Sequence, residues 1–128
     1  MTNKILRIKA LKSLYKSVKE RLNISFENFL LLLDSWEVIP LIENNYIIGA
    51  VIIKGAEIHV GYAVKPTVSV LNHIKIALIP VLKKHGFALT IVKADNLSGL
   101  KFCKRLGFKI VSQDLNGIHM KCEKCNYV

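Results

Sequence analysis

The chain lacks any apolar run of the roughly 18 to 20 residues that a membrane-spanning helix requires. The stretch FLLLLDSW is interrupted at Asp34 after a handful of residues, so no membrane span is expected. The start, MTNKILRIKALK, scatters lysines among its apolar residues, which is a poor signal peptide, and a cytoplasmic protein is the expectation. Cysteine is scarce: three residues, an odd number, do not make a disulfide framework. Cys122 and Cys125 form a single CEKC, with no second pair and no close histidine pair to complete a tetrahedral zinc site. His119 could supply a third ligand, but two reduced thiols and no metal are the expectation. No internal repeat, low-complexity tract or linker divides the chain.

Acidic residues are also few, 9 against 19 Lys and Arg, which leaves a net charge of +10. Such a field favours a polyanion as partner: nucleic acid, an anionic surface or a phosphate-rich cofactor. Lys4, Arg7, Lys9, Lys12, Lys16, Lys19 and Arg21 crowd the first segment against Glu20, and Lys101, Lys104, Arg105 and Lys109 form a second set. Aromatic residues do not interleave with these charges, so base stacking is not indicated. A solvated basic face and a nucleic-acid contact through the first helix both remain open. What is plentiful is apolar content, 52% of 128 residues, enough for one domain over 1–128. Within it, 1–36 reads as helical, 37–122 as a sheet-containing core and 123–128 as a tail.

The periodicities give the elements. Ile8, Leu11, Leu14, Tyr15, Val18 and Leu22 recur at helical spacing, with Lys9, Lys12, Lys16 and Lys19 on another face. Ser25 can cap a second short helix in FENFLLLLDSW. EVIPLI and YIIGAVII flank the polar turn Glu43-Asn44-Asn45 and predict a hairpin. In EIHVGYAV, Ile58, Val60, Tyr62 and Val64 alternate with Glu57, His59, Gly61 and Ala63, a strand with two unlike faces. Pro66 ends it, and Thr67 or Ser69 can cap the helix that runs to Gly86 through a kink at Pro80. FALTIVK is a strand, Ser98 to Leu106 a helix closed by Gly107, and FKIVSQ and IHMKC a hairpin across Asn116-Gly117. The order is α-α-β-β-β-α-β-α-β-β.

In the segment ADNLSGLKFCKRLGF, Leu100, Phe102 and Leu106 can supply apolar contacts, and Gly107 permits a left-handed helix end before Phe108. Asn96, a polar residue at a strand end, stands where ligand groups gather. On the strand before Pro66, Glu57 and His59 share a face and could act as a base, directly or through water. Either could equally be a solvated or structural side chain.

With that element order, the register of Asn96, Gly99, Phe102-Cys103 and Gly107-Phe108 resembles the late segment of the GNAT superfamily, the Gcn5-related N-acetyltransferases. The resemblance runs roughly from Val38 to Cys122. It implies an α+β fold, a mostly antiparallel central sheet flanked by helices, and acetyl transfer from acetyl-CoA to an amine of a small molecule or protein. It also implies a cofactor arm along Tyr62, Val64, Lys65, Ser69 and Asn72, with Asn96 bonding the pantetheine. Val64, Lys65 and Pro66 fit the start of the family's phosphate loop. Ser69 stands at its Arg or Gln position, and Asn72 and Ile74 at its glycine positions. Cys103 takes the place of the family's tyrosine acid, and a buried core thiol is its other reading. A weaker resemblance, to GNAT-like virion proteins of bacteriophages, implies a non-catalytic alternative: a worn loop and a binding role toward DNA or a partner protein in a virion.

Overall fold

The first helix forms because its apolar residues repeat along one side of a lysine-rich segment. In a computed structural model, which describes residues 3–20, 22–64 and 70–126, this is α1, Asn3–Val18. It is followed by α2 (Phe26–Leu32), β1 (Glu37–Glu43), β2 (Tyr46–Lys54), β3 (Glu57–Tyr62), α3 (Val70–His85), β4 (Ala88–Val92), α4 (Leu97–Leu106), β5 (Lys109–Asp114) and β6 (Gly117–Cys122). The predicted order of helices and strands is the observed one. The strands hydrogen-bond in the order β1-β2-β3-β4-β6-β5; β1–β2, β4–β6 and β5–β6 pair antiparallel, and β3–β4 pairs parallel.

The chain divides into two compact units, residues 1–54 with 60–74, and residues 55–59 with 75–128. In the first, Ala10, Leu11 and Leu14 of α1 and Phe29 and Leu33 at α2 form a core with Ala50 and Ile52 of β2. Tyr15 tilts against Phe26 and Phe29 at 5.4 and 5.2 Å, and its hydroxyl donates to the Ile24 carbonyl at 2.6 Å. Gly61 of β3 lies beneath this helix: a Cβ there would meet Ser17 Oγ and the Leu14 side chain at 2.5 Å. Gly49 of β2 is hemmed in likewise by the Gly61 carbonyl. The lack of side chains at 49 and 61 is therefore what lets these strands and α1 lie so close.

Several local signals act as expected. The Ser25 side chain accepts from the Asn28 amide, capping α2, and Asn44 and Asn45 take positive φ (51° and 68°) in the β1–β2 turn. Pro40 is tolerated because β1 is an edge strand. α3 continues through Pro80; the Ile76 carbonyl loses its donor there, but both residues are solvent-exposed, where water can replace it. The predicted caps Thr67 and Ser69 lie outside the described residues.

Four boundaries are corrected. α2 ends at Leu32 and does not extend through DSW, because Arg7 of α1 draws the terminal carbonyls outward. Its Nη1 donates to Trp36 O at 2.6 Å, and its Nη2 to Leu33 O at 2.7 Å and Asp34 O at 3.3 Å. β3 stops at Tyr62 rather than Val64, where the Ala63 amide turns to the Ile48 carbonyl at 2.8 Å. α4 begins at Leu97 with Asn96 as its cap, one residue earlier than expected. The last hairpin turns on Leu115-Asn116, while Gly117 (φ 136°) opens β6 because a Cβ would strike the Val92 carbonyl at 2.6 Å.

In the second unit the buried set includes Ala77, Leu78 and Val81 of α3, Leu100 and Leu106 of α4, and Ile118, Met120 and Cys122 of β6. β5 is exposed along its whole length, as an outer strand.

Arg7 joins α1 to the end of α2 through charge-assisted hydrogen bonds, each of a kind typically worth about 1.5–3 kcal/mol. Substitution Arg7→Met is expected to lower unfolding stability by about 2–3 kcal/mol in urea titration, whereas exposed Lys9→Ala should change it by no more than about 0.5 kcal/mol.

Candidate functional site

Alternation along β3 places Glu57 and His59 on one side of the strand. There His59 Nε2 and Glu57 Oε2 are 2.6 Å apart, with the two side chains 28% and 36% exposed. A carboxylate only accepts, so His59 donates Nε2–H to it; in the tautomer protonated at Nε2 alone, Nδ1 can accept. Thr90 of β4, itself buried, stands 3.5 Å from Nδ1 and can donate its hydroxyl there. The Glu57 carboxylate is thus oriented from one oxygen and keeps Oε1 for a second task. The spacing of the two residues in the sequence was sufficient to find this pair. Thr90 was not foreseen, because it lies 31 positions away and only the pairing of strands brings it in.

The ladder between β3 and β4 is one residue pair long, Glu57 opposite Leu89, closed by the Leu89 amide donating to the Ala56 carbonyl at 2.8 Å. Among the described residues, no ladder between β3 and β4 continues from His59 onward. Tyr62, at the far end of β3, is half-buried, and burial followed by the nearby Glu43 charge pushes its phenol up to about 12. Tyr62 therefore stays protonated, a donor, at any physiological pH. Val64 is exposed beyond it. Lys65 and Ser69 lie outside the described residues. Asn72 is exposed in the first turn of α3.

Asn96 has a defined local role. Its Oδ1 accepts from the Gly99 amide at 3.1 Å and from the Ser98 hydroxyl at 3.3 Å, capping α4. Gly99 leaves room for this cap, since a Cβ there would meet Asn96 Nδ2 at 2.5 Å. The acceptor of Asn96 is engaged, and what it can offer a ligand is the Nδ2 donor. At the other end of α4, Gly107 (φ 118°) takes the left-handed conformation and donates to the Cys103 and Lys104 carbonyls.

Cys103 is half-buried, and burial, followed by the neighbouring Cys122, pushes its thiol up to about 11. Cys122 is raised by burial and then by Cys125. All three cysteines are free. His119 does not join Cys122: residues 118, 120 and 122 of β6 face the interior, whereas His119 Nε2 meets Asp114 Oδ2 at 2.9 Å on the other side. That bond, with the Asn116 amide on Oδ1 at 2.8 Å, holds the Asp114 carboxyl below its ordinary range. Among the described residues, no three His, Cys, Asp or Glu side chains gather as a metal site, and no helix is long and apolar enough to cross a membrane.

The glutamate, the histidine and the thiol thus stand in different chemical states. Glu57 and His59 form a bonded pair open to solvent, while Cys103 holds its proton more tightly than an ordinary thiol, making proton donation to a leaving thiolate uphill. A folded-state pKa raised from 9.0 to about 11 contributes stability that is complete below pH ~9 and is lost as the pH rises through 11. Iodoacetamide labelling of the native protein, read by peptide mass spectrometry, is expected to leave Cys103 largely unmodified at pH 7.5 and to modify it markedly faster above pH 10.

No protein-family model matches the sequence, and no curated protein matches it. Solved structures do. The chain is similar to the PaiA N-acetyltransferase of Thermoplasma acidophilum in complex with coenzyme A, at 15% identity and a TM-score of 0.63, covering 93% of this chain and 89% of that one. It is similar to aminoglycoside 6'-acetyltransferase type Ii at 18% identity and a TM-score of 0.61, covering 95% and 92% of the two chains. An uncharacterized protein from Bacillus halodurans is similar at 14% identity and a TM-score of 0.62, covering 91% and 80%. With the element order and strand order described above, these likenesses identify the fold: the chain has the fold of the GNAT acetyltransferases.

Proposed function

We propose that the chain is an N-acyltransferase that moves an acetyl group from acetyl-CoA to an amine, with Glu57 as the base. The observation that carries this reading is the 2.6 Å bond between His59 Nε2 and Glu57 Oε2 on β3. An amine attacks a thioester only as the free base, so its ammonium form must first lose a proton. Glu57 can take that proton at Oε1, directly or through one water, while the His59 Nε2–H holds the carboxylate in one orientation. Thr90 reinforces this by favouring the tautomer that donates through Nε2.

The group that would be held is coenzyme A, as it is in the Thermoplasma protein. β3 would hold its pantetheine arm: an extended chain of amides can bond a strand edge, and among the described residues β3 has no ladder to β4 from His59 onward. Tyr62 and Val64 lie along the end of that strand, and Asn96 Nδ2 offers a further donor. When bound, the thioester supplies the acyl group. Lys65, Ser69 and Asn72 are proposed to hold the phosphate end. Here the chemistry differs from a glycine loop, since the positions of its glycines are Asn72 and Ile74, both within α3. Binding through Lys65 and Ser69 would rest on charge and hydroxyl donors more than on backbone approach. Cys103, with its proton held to about 11, is not the preferred acid, and solvent can protonate the leaving thiolate.

A thermal-shift titration with acetyl-CoA tests binding: at a hundred times the dissociation constant, the folded state should gain about 2.7 kcal/mol. An unchanged melting temperature at millimolar acetyl-CoA overturns the proposal. With an amine panel in a thiol-release assay, Glu57→Gln is expected to lower kcat by about 10²–10⁴-fold, the usual contribution of a general base. Its acetyl-CoA melting shift should be retained.

A further inference from the structure

The solvent side of α1 carries an unusual arrangement. Taking 100° per residue, Ile8, Lys19, Lys12, Ile5, Lys16 and Lys9 fall within an arc of about 100°, in that order around the helix. Lys19 belongs to it because its amide still bonds the Tyr15 carbonyl at 2.8 Å. All four lysines are exposed, and among the described residues none is in an ion pair. The helix's arginine is not part of this face, since Arg7 is committed to the carbonyls at the end of α2. No acid falls within the arc; Glu20 lies just beyond its edge. From Lys9 to Lys19 the stripe rises about 15 Å, the axial length of roughly four to five nucleotides of one duplex strand.

We propose that this face of α1 docks the phosphate backbone of nucleic acid without reading sequence. Three features choose that occupant. A bilayer would need the apolar face of the helix, but Ala10, Leu11 and Leu14 are buried at 0%, 1% and 4% exposure in the core of their unit. A protein interface is usually anchored by aromatic residues or arginine, and the stripe has neither. An extended polyanion needs only evenly spaced point charges, and the net charge of +10 attracts it over longer range. The absence of arginine and of stacking side chains on the face removes the means of base readout. The proposal does not depend on acetyl transfer.

Fluorescence anisotropy with a labelled random-sequence 20-base-pair duplex tests it in the full chain. Binding should weaken with salt at a log–log slope of about −3 to −4, the value for four neutralised phosphates. The variant with Lys9, Lys12, Lys16 and Lys19 all changed to Gln should lose most of that slope, roughly one unit per lysine, and Lys12→Gln with Lys16→Gln should lose about half. A Lys83→Gln, Lys84→Gln control on α3 should bind as the parent does, with far-ultraviolet dichroism confirming that each variant is folded. Absence of duplex binding at 50 mM salt overturns the proposal, as does a slope unchanged in the four-lysine variant. Binding to phosphatidylserine vesicles with none to the duplex overturns it as well.

Discussion

The close approach of α1 to β3 at Gly61 sets much of the first unit. Because nothing projects from Gly61, Leu14 and Ser17 settle directly on the strand, and the helix is fixed in rotation as well as in distance. That rotation has three consequences. It sends Leu11 and Leu14 into the core, it brings Arg7 to the carbonyls of Leu33, Asp34 and Trp36, and it turns Lys9, Lys12, Lys16 and Lys19 to solvent. A larger residue at 61 would have to lift the helix, because packed interiors rarely absorb an extra methyl without strain. The basic face is in this sense a product of packing as much as of composition.

Much of the fold is legible in the sequence because its signals are local. The Asn44-Asn45 turn, the Ser25 cap and the left-handed Gly107 each act within a few residues, and each occurs where local chemistry places it. The misplaced boundaries have long-range causes. The end of α2 is shaped by Arg7, some 26 to 29 positions away, and the start of β6 by the Val92 carbonyl against Gly117. Strict alternation in β3 predicted two unlike faces, yet only Ile58 is fully buried and its neighbours are half-covered. A strand with partial cover on both sides cannot be recognised by alternation alone.

The candidate site divides in the same way. Glu57 and His59 are two apart on a strand, so their shared face is a matter of period, and the bond between them follows from proximity. Thr90 reaches the pair only through strand pairing, which no local pattern encodes. Asn96 has a local role that its reading as a ligand-binding amide did not include: its oxygen caps the first turn of α4. Asn is favoured at such caps for reasons of backbone geometry, so its position at the end of a strand is explained before any ligand is considered.

The late segment from Asn96 to Phe108 therefore carries the fold more than the chemistry. Asn96 starts the helix, Gly99 makes room for that cap, Gly107 ends the helix, and Phe108 is buried beyond it. Cys103 fits this account, because enclosure raises its thiol and makes it a better core residue than an acid. Its presence leaves the reaction intact in principle, since deprotonating the amine and protonating a thiolate are separate tasks. The first requires a fixed base close to the nucleophile, which Glu57 and His59 can supply. In the reaction proposed above the second can be met by water, so a half-buried cysteine at 103 is compatible with that proposal.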